Sequence, residues 1–392
     1  MRATQRTENA MRIAVVGRGL IGSAAARHLA LAGAEVILIG PDEPEDRSSH
    51  TGVFASHYDE GRITRQLDSH PFWAEVSRAS IARYAEIEAA SDLRFFTAAG
   101  ALHAGPAGSD WIARIGAGAD ASGVPHRRMT GTEAAEAFPM LWFSPDWTVF
   151  HEAANAGYIS PRRLVLAQTR AAERAGAQVI PAEVTGIDTG GSGATLRLGE
   201  GTVQADTVLV ATGGFTPGLL PDLPLTVYAR TVALLEVDAM EATRLAAMPS
   251  MVTMLENGRD PYILPPIRYP DGRRYLKIGG DPDDLVLRDA QDARAWFRSG
   301  GRPEVGAALA EHLHRRMPGL RAAAPVIAPC VTTFTPGDLP LIDRLDPRIC
   351  VAVAGCGKGA KCSDELGRLA ADLALGGAPD PRLTLSALME AA

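Results

Sequence analysis

The stretch Met11-Arg-Ile-Ala-Val-Val-Gly17-Arg18-Gly19-Leu20-Ile21-Gly22-Ser23 decides the fold. Ile13 to Val16 is a short apolar run of the kind buried in a parallel sheet. It meets a G-x-G-x-x-G turn in which each glycine has its own task. Gly17 permits the tight turn, Gly19 lets the backbone approach a pyrophosphate, and Gly22 lets the following helix pack closely on the strand. The helix that follows presents its N-terminal amides and partial positive charge to the phosphates. Gly33 ends that helix, and Glu35-Val-Ile-Leu-Ile-Gly40 reads as the next strand.

A second glycine turn lies near the other end. The apolar run from Ile349 to Ala354 leads into Gly355-Cys-Gly357-Lys358-Gly359-Ala-Lys361, and a helical pattern follows from Ser363. Two such turns bracketing the chain bring its end back onto its beginning, around one large cofactor. One expected part is missing. An acidic residue about 20 positions beyond the glycines usually holds the adenine-side ribose, yet the second strand ends in Gly40-Pro41. Either Asp42 reaches back, or water and backbone hold the ribose.

Composition sets wider limits. At 392 residues, the chain is long enough for two domains or one elaborated domain and a large core. Charged residues at 22% and hydrophobic residues at 46% describe an ordinary globular protein. A net charge of −7 gives no reason to expect nucleic acid or an anionic membrane as partner. No apolar run reaches the roughly 20 residues of a membrane span. Met1 to Ala10 lacks the apolar core of a signal peptide and reads as a disordered extension, Met11 being an alternative start. Four cysteines make no disulfide framework in a chain this long, so a reducing cytoplasm fits.

Between the glycine turns the texture changes. Ser160 to Gly176 is a capped amphipathic helix, Ala177 to Ile180 a strand, and Ala194 to Val203 a hairpin. Asp206-Thr-Val-Leu-Val-Ala-Thr-Gly213-Gly214 is a buried strand with a glycine exit. Thr231 to Val237 and Tyr275 to Gly279 read as strands. No fixed-period repeat and no low-complexity linker appear, so two domains interleave. The fold class is α/β: a Rossmann-like dinucleotide-binding domain interleaved with a mixed-sheet α+β domain. The expected division is 11–97, 159–229 and 326–392 for the first, and 98–158 with 230–325 for the second.

Over nearly all of Met11 to Gly377 the chain resembles the FAD-dependent D-amino-acid oxidase superfamily. Within it, the chain is similar to the monomeric sarcosine oxidase and N-methyltryptophan oxidase branch. Besides the Gly17 turn and the Asp206 to Gly214 strand, which are general to the superfamily, four segments and one tyrosine carry the resemblance. Cys330-Val-Thr-Thr-Phe-Thr-Pro-Gly-Asp-Leu-Pro-Leu-Ile-Asp343 is similar to the segment with the flavinylated cysteine. Ser56-His-Tyr-Asp-Glu-Gly-Arg62-Ile-Thr-Arg65 resembles a two-arginine motif. Tyr275-Leu-Lys277-Ile-Gly matches an oxygen-activating lysine, and Tyr262 a pocket tyrosine. Gly357-Lys-Gly-Ala-Lys361 matches the loop with a carboxylate-binding lysine.

The resemblance implies an oxidase of secondary or cyclic amines and amino acids. A hydride passes to FAD, O2 becomes hydrogen peroxide, and the flavin is linked to Cys330. Lys277, Arg62 and Tyr262 would serve the chemistry, and Arg65, Lys361, Lys358 and Asp281 the substrate. The cofactor set would comprise Gly17, Gly19, Leu20, Ile21 and Gly22, then Asp42, Ser56, Val184 and Gly213, then Cys330, Gly357, Gly359 and Lys361. The implied partners are a small amine and O2, with no nucleic acid or membrane, for a monomer or small homo-oligomer. Alternatives are a flavin dehydrogenase with another acceptor and a nicotinamide-dependent Rossmann reductase.

Each position also has a reading of its own. The planar forks of Arg62 and Arg65 match a carboxylate or phosphate, although surface charge would explain them equally. A lysine inside the apolar run Tyr275 to Gly279 either faces solvent by strand alternation or is buried for a purpose. Cys330, ahead of Pro336-Gly337, reads as the end of a strand near a ligand, or as a plain buried thiol. Two departures from the branch change the charge of the pocket. Asp281 stands where an active-site histidine follows the lysine by four residues, and Lys358 where the carboxylate loop has histidine. Both point away from sarcosine, toward a larger or differently charged amine.

Overall fold

The computed structural model describes residues 11–46, 49–55, 57, 59–254 and 260–390. Residues 1–10, expected as an extension, and Ser56 lie outside these. Among the described residues the strands form four sheets. The first has the order Leu341–Asp346, Ile349–Val353, Thr207–Val210, Arg12–Val16, Glu35–Ile39, Gln178–Ile180. All its pairings are parallel except the edge pair Leu341–Asp346 with Ile349–Val353. Val15 faces Leu38 on one side and Leu209 on the other, and Leu209 faces Cys350. The near-continuous apolar runs are explained by burial on both faces.

The two glycine turns become neighbours through this sheet. Helix Leu20–Leu31 and helix Gly359–Ala374 each follow one of its strands and pack against each other. Contact is close because Gly367 lies on Ala24, where a β-carbon would come within 2.5 Å of the alanine Cβ. A buried charged network ties the helices further: Arg27 reaches Asp364 at 2.9 Å and Gln168 at 2.7 Å, and Arg83 reaches Asp364 at 2.5 Å. The chain's end is thus fixed against its beginning, as the paired turns imply.

The largest sheet, nine-stranded and mixed, carries the order Leu285–Leu287, Thr226–Glu236, Arg274–Gly279, Tyr262–Arg268, Ser250–Thr253, Ala101–Pro106, Trp147–Glu152, Arg127–Thr130. Strand Val326–Phe334 pairs with Thr226–Glu236 along its length, so Cys330 sits mid-strand opposite Arg230, not at a strand end. Helix Pro303–Arg316 covers one face, where Leu276 and Ile278 share a core with Leu309 and Leu313. Alternation sends Lys277 to the other face. A small sheet of Arg62–Thr64, Gly157–Ile159 and Phe96–Thr97 carries the two-arginine segment. An antiparallel three-stranded sheet spans Val184–Asp188, Ala194–Leu198 and Thr202–Ala205. No helix among the described residues is long and apolar enough to cross a membrane.

Candidate active site

A cavity of about 1770 Å³ runs from the Gly17 turn to the large sheet. At one end its wall is glycine. Gly17 has φ +107°, and a β-carbon there would sit 2.4 Å from the Ala211 carbonyl oxygen. At Gly22 a β-carbon would sit 1.8 Å from the Gly17 carbonyl oxygen, so any side chain breaks the turn. Gly19 and Gly359 have nothing within 4 Å of that position, which leaves the cavity side open for a bulky anion. Neither helix that starts here has an acid in its first turn, so the amides and the positive dipole end meet the cavity undiminished. Leu20, Ile21, Val184, Gly213 and Gly357 also line it, whereas Gly22 packs behind. This cradle fits the diphosphate of a dinucleotide.

Asp42 does not line the cavity. Its exposed carboxylate pairs with Arg18, while Glu43 faces the cavity and is held by Arg162 at 2.8 Å. With Gly40 pressed to 2.6 Å from the Arg18 nitrogen at the β-carbon position, no side chain fits at the strand's end. Of the two acids that follow the strand, Asp42 and Glu43, it is Glu43 that lines the cavity.

Beside the second glycine turn the lining is cationic. Arg65, Lys358 and Lys361 all line the cavity and converge on Asp68. Lys358 Nζ donates to Asp68 at 2.9 Å, Arg65 at 3.3 Å, and Lys361 lies at 3.5 Å. Burial would raise the Asp68 carboxyl, but Lys361, Arg65 and Lys358 hold it well below the usual range. Burial in turn lowers the Lys361 ammonium from its ordinary value, against the pull of Cys362 and Asp68. Trp73 spaces the two lysines, its ring centre 5.9 Å from Lys358 Nζ and 5.8 Å from Lys361 Nζ. Three cations against one buried carboxylate leave room for another anion. Asp260, whose carboxyl burial raises, lies within the field of Arg65 and Lys358.

Arg62, Tyr262 and Cys330 also stand in the cavity wall. Burial pushes the Cys330 thiol up, against Arg62 and Lys277. Lys277 is fully buried just behind this wall, its Nζ 5.1 Å from the centre of the Tyr262 ring. Its solvent-facing alternative is therefore excluded. Asp281 reaches the cavity, but its carboxylate is occupied: Arg302 at 2.5 Å, and the Thr231 amide at 2.7 Å. The charge change at this position is thus compensated locally by Arg302. Asp59, Asp68 and His103 organise the site from behind; Asp59 lay unremarked inside the two-arginine motif, and Asp68 and His103 had no motif to mark them.

Residues 12–373 match the FAD-dependent oxidoreductase family. The chain belongs to this family. It is 25% identical to N-methyl-L-tryptophan oxidase of Salmonella newport (strain SL254) over 381 residues, covering 94% of this chain and 96% of that one. Its fold superposes on NikD, "an unusual amino acid oxidase essential for nikkomycin biosynthesis", with TM-score 0.76 at 20% identity, covering 96% and 97% of the two chains. L-Proline dehydrogenase from P. horikoshii superposes with TM-score 0.73 at 18% identity, covering 95% and 96%. The expected Rossmann-like FAD-binding fold and the assignment as an FAD-dependent oxidoreductase therefore hold. A nicotinamide reductase does not fit this family.

Proposed function

We propose that the protein oxidises a secondary or cyclic amine bearing a carboxylate, using O2 as the electron acceptor. The observation that carries this reading is the cluster of Arg65, Lys358 and Lys361, facing the same cavity as the glycine cradle. FAD, when bound, supplies the acceptor for a hydride from the carbon beside nitrogen and delivers the electrons to O2 as hydrogen peroxide. Arg65 and Lys361 hold the substrate carboxylate through charge-assisted hydrogen bonds. Lys358 adds charge where the mouth of the cluster is half exposed. The apolar side of the pocket, with Val252 and Tyr262, favours an amine bound in its neutral form, so no general base is required. Water hydrolyses the imine product.

In the same reading the Cys330 sulfur forms a thioether with the flavin, and Gly17, Gly19, Gly213, Gly357 and Gly359 line its phosphate and ring contacts. Ser56 belongs to this proposed set by sequence alone. Residues 11–97, 159–229 and 326–392 form the FAD-binding part, and 98–158 with 230–325 the substrate part. Strand Val326–Phe334 carries Cys330 between them. The proposed setting is cytoplasmic.

The test is an amine panel headed by N-methyl and cyclic amino acids. Peroxide formed in air, with bleaching of the flavin bands when oxygen is excluded, supports the proposal. Bleaching without peroxide makes the enzyme a dehydrogenase with another acceptor, and neither signal refutes the reading. Lys277→Met separates the half-reactions. A buried positive charge that stabilises developing superoxide by about 3–4 kcal/mol accelerates reoxidation by about 10²–10³-fold. The variant should lose that factor, while its anaerobic reduction rate changes far less.

A further inference from the structure

Lys277 does not stand alone in its strand. Its Nζ pairs with Asp59 and donates to the Gly61 carbonyl oxygen at 2.8 Å. The same carboxylate pairs with Arg62, and Tyr269 donates its hydroxyl to Oδ1 at 2.7 Å. The amides of Glu60 and Gly61 donate to Oδ1 at 2.9 and 3.3 Å. Asp59 is only 6% exposed and Lys277 fully buried. A buried carboxylate is costly unless paired and hydrogen-bonded, and this one meets both conditions.

The other groups facing this pair come from three elements. His57, on the same segment, is held neutral by burial, and Arg62 adds to that effect. Tyr269, after strand Tyr262–Arg268, has its phenol raised by burial and by Asp59, and Tyr262 contributes a ring face. On strand Val326–Phe334, the Cys330 thiol is raised by burial. His57 and Cys330 form a β-bridge, so the whole group is tied to the cavity wall. Two cations and one carboxylate therefore form a unit with one net positive charge, whose outer member Arg62 faces the cavity, as Cys330 does.

We infer that Asp59 is a positioning residue that sets the charge presented to the flavin, locking Lys277 and Arg62 into one unit of single positive charge. The inference rests on the flavin reading of the cavity. Without Asp59 the same wall would present two positive charges, and the added electrons of the reduced cofactor would be held more tightly. Asp59 thus balances ease of flavin reduction against ease of its reoxidation.

Charge arithmetic provides the test, read as the two-electron potential of the FAD-loaded protein in anaerobic dye titrations. Asp59→Asn keeps the shape and changes the unit from +1 to +2. Its equilibrium should move at least tenfold toward reduced flavin, about 30 mV upward. Lys277→Met changes the unit to zero and should move the equilibrium at least as far the other way. The double variant restores +1 and should return to within threefold of wild type, although its reoxidation stays slow for want of the lysine. If Asp59→Asn fails to fold, the Lys277→Met shift and its reversal in the double variant carry the test. Potentials that stay together across the variants, or a double variant that keeps the Lys277→Met shift, overturn the inference. Failure of the flavin reading shows up separately, as protein that takes up no FAD.

Discussion

Arg65 donates from Nε to Nε2 of His103 across 2.7 Å, and both side chains are buried. The imidazole can accept only if it is neutral, and burial, then Arg65, lower its pKa well below the ordinary value. Its proton therefore resides on Nδ1, which has no partner among the described residues and lies 3.9 Å from Glu152. Glu152 in turn accepts the amides of Gln66 and Leu67 at 2.9 and 3.1 Å, fixing the backbone just after Arg65. The guanidinium is thus aimed by one neutral ring and a braced backbone, leaving its outer nitrogens for Asp68 and a ligand.

His103→Leu removes the acceptor and keeps the volume apolar. Losing one hydrogen bond to a charged partner costs about 1.5 kcal/mol, or roughly tenfold. The loss should appear as a higher KM for a carboxylate substrate, with kcat changed less. A collapse of kcat at constant KM would instead tie Arg65 to the chemical step.

Replacing Lys361 with methionine should lower kcat/KM by about 2–4 kcal/mol, because a substrate carboxylate is then left underpaired. A decarboxylated amine should suffer a similar loss with the wild type and little more with the variant. Equal turnover of acid and decarboxylated analogue by the wild type would show that the cluster serves something else.

Binding of the carboxylate should weaken at alkaline pH. Lys361 holds an anion only when protonated, and burial lowers its pKa below 10.5. Rising pH therefore removes its charge earlier than for an exposed lysine, and KM should climb through that range. Lys361→Arg, whose charge persists to higher pH, should flatten the climb. An unchanged profile in that variant would point to a different titrating group.

Flavin colour should remain with acid-precipitated wild type and pass to the supernatant with Cys330→Ala. Since the thiol is buried and its pKa raised, attachment should proceed slowly at neutral pH and faster as pH increases. Fully extractable wild-type flavin would rule out the thioether and leave FAD binding by the glycine cradle intact.

Much of the cofactor end was legible because its requirements are local. Gly22 is demanded by a backbone clash with Gly17 five residues away, Gly17 by its positive φ as well as by the distant Ala211 carbonyl, and the apolar runs beside them mark buried parallel strands. Ribose recognition was less legible. Spacing singled out Asp42, but Arg18 takes that carboxylate at the surface, and Glu43 faces inward with Arg162. Cys330 looked like a strand end from the Pro336-Gly337 that follows it, yet the ladder with Thr226–Glu236 continues to Phe334.

The sequence by itself carried the two glycine turns and the resemblance to the family, and it was the resemblance that marked Arg65, Lys277 and Lys361. Only the tertiary structure decided which carboxylates serve them. Asp59 meets Lys277 across 218 positions, and Asp68 meets Lys358 across 290. No periodicity reports such a pairing. It arises when sheets distant in sequence close on one buried volume, where an unpaired charge is too costly to persist.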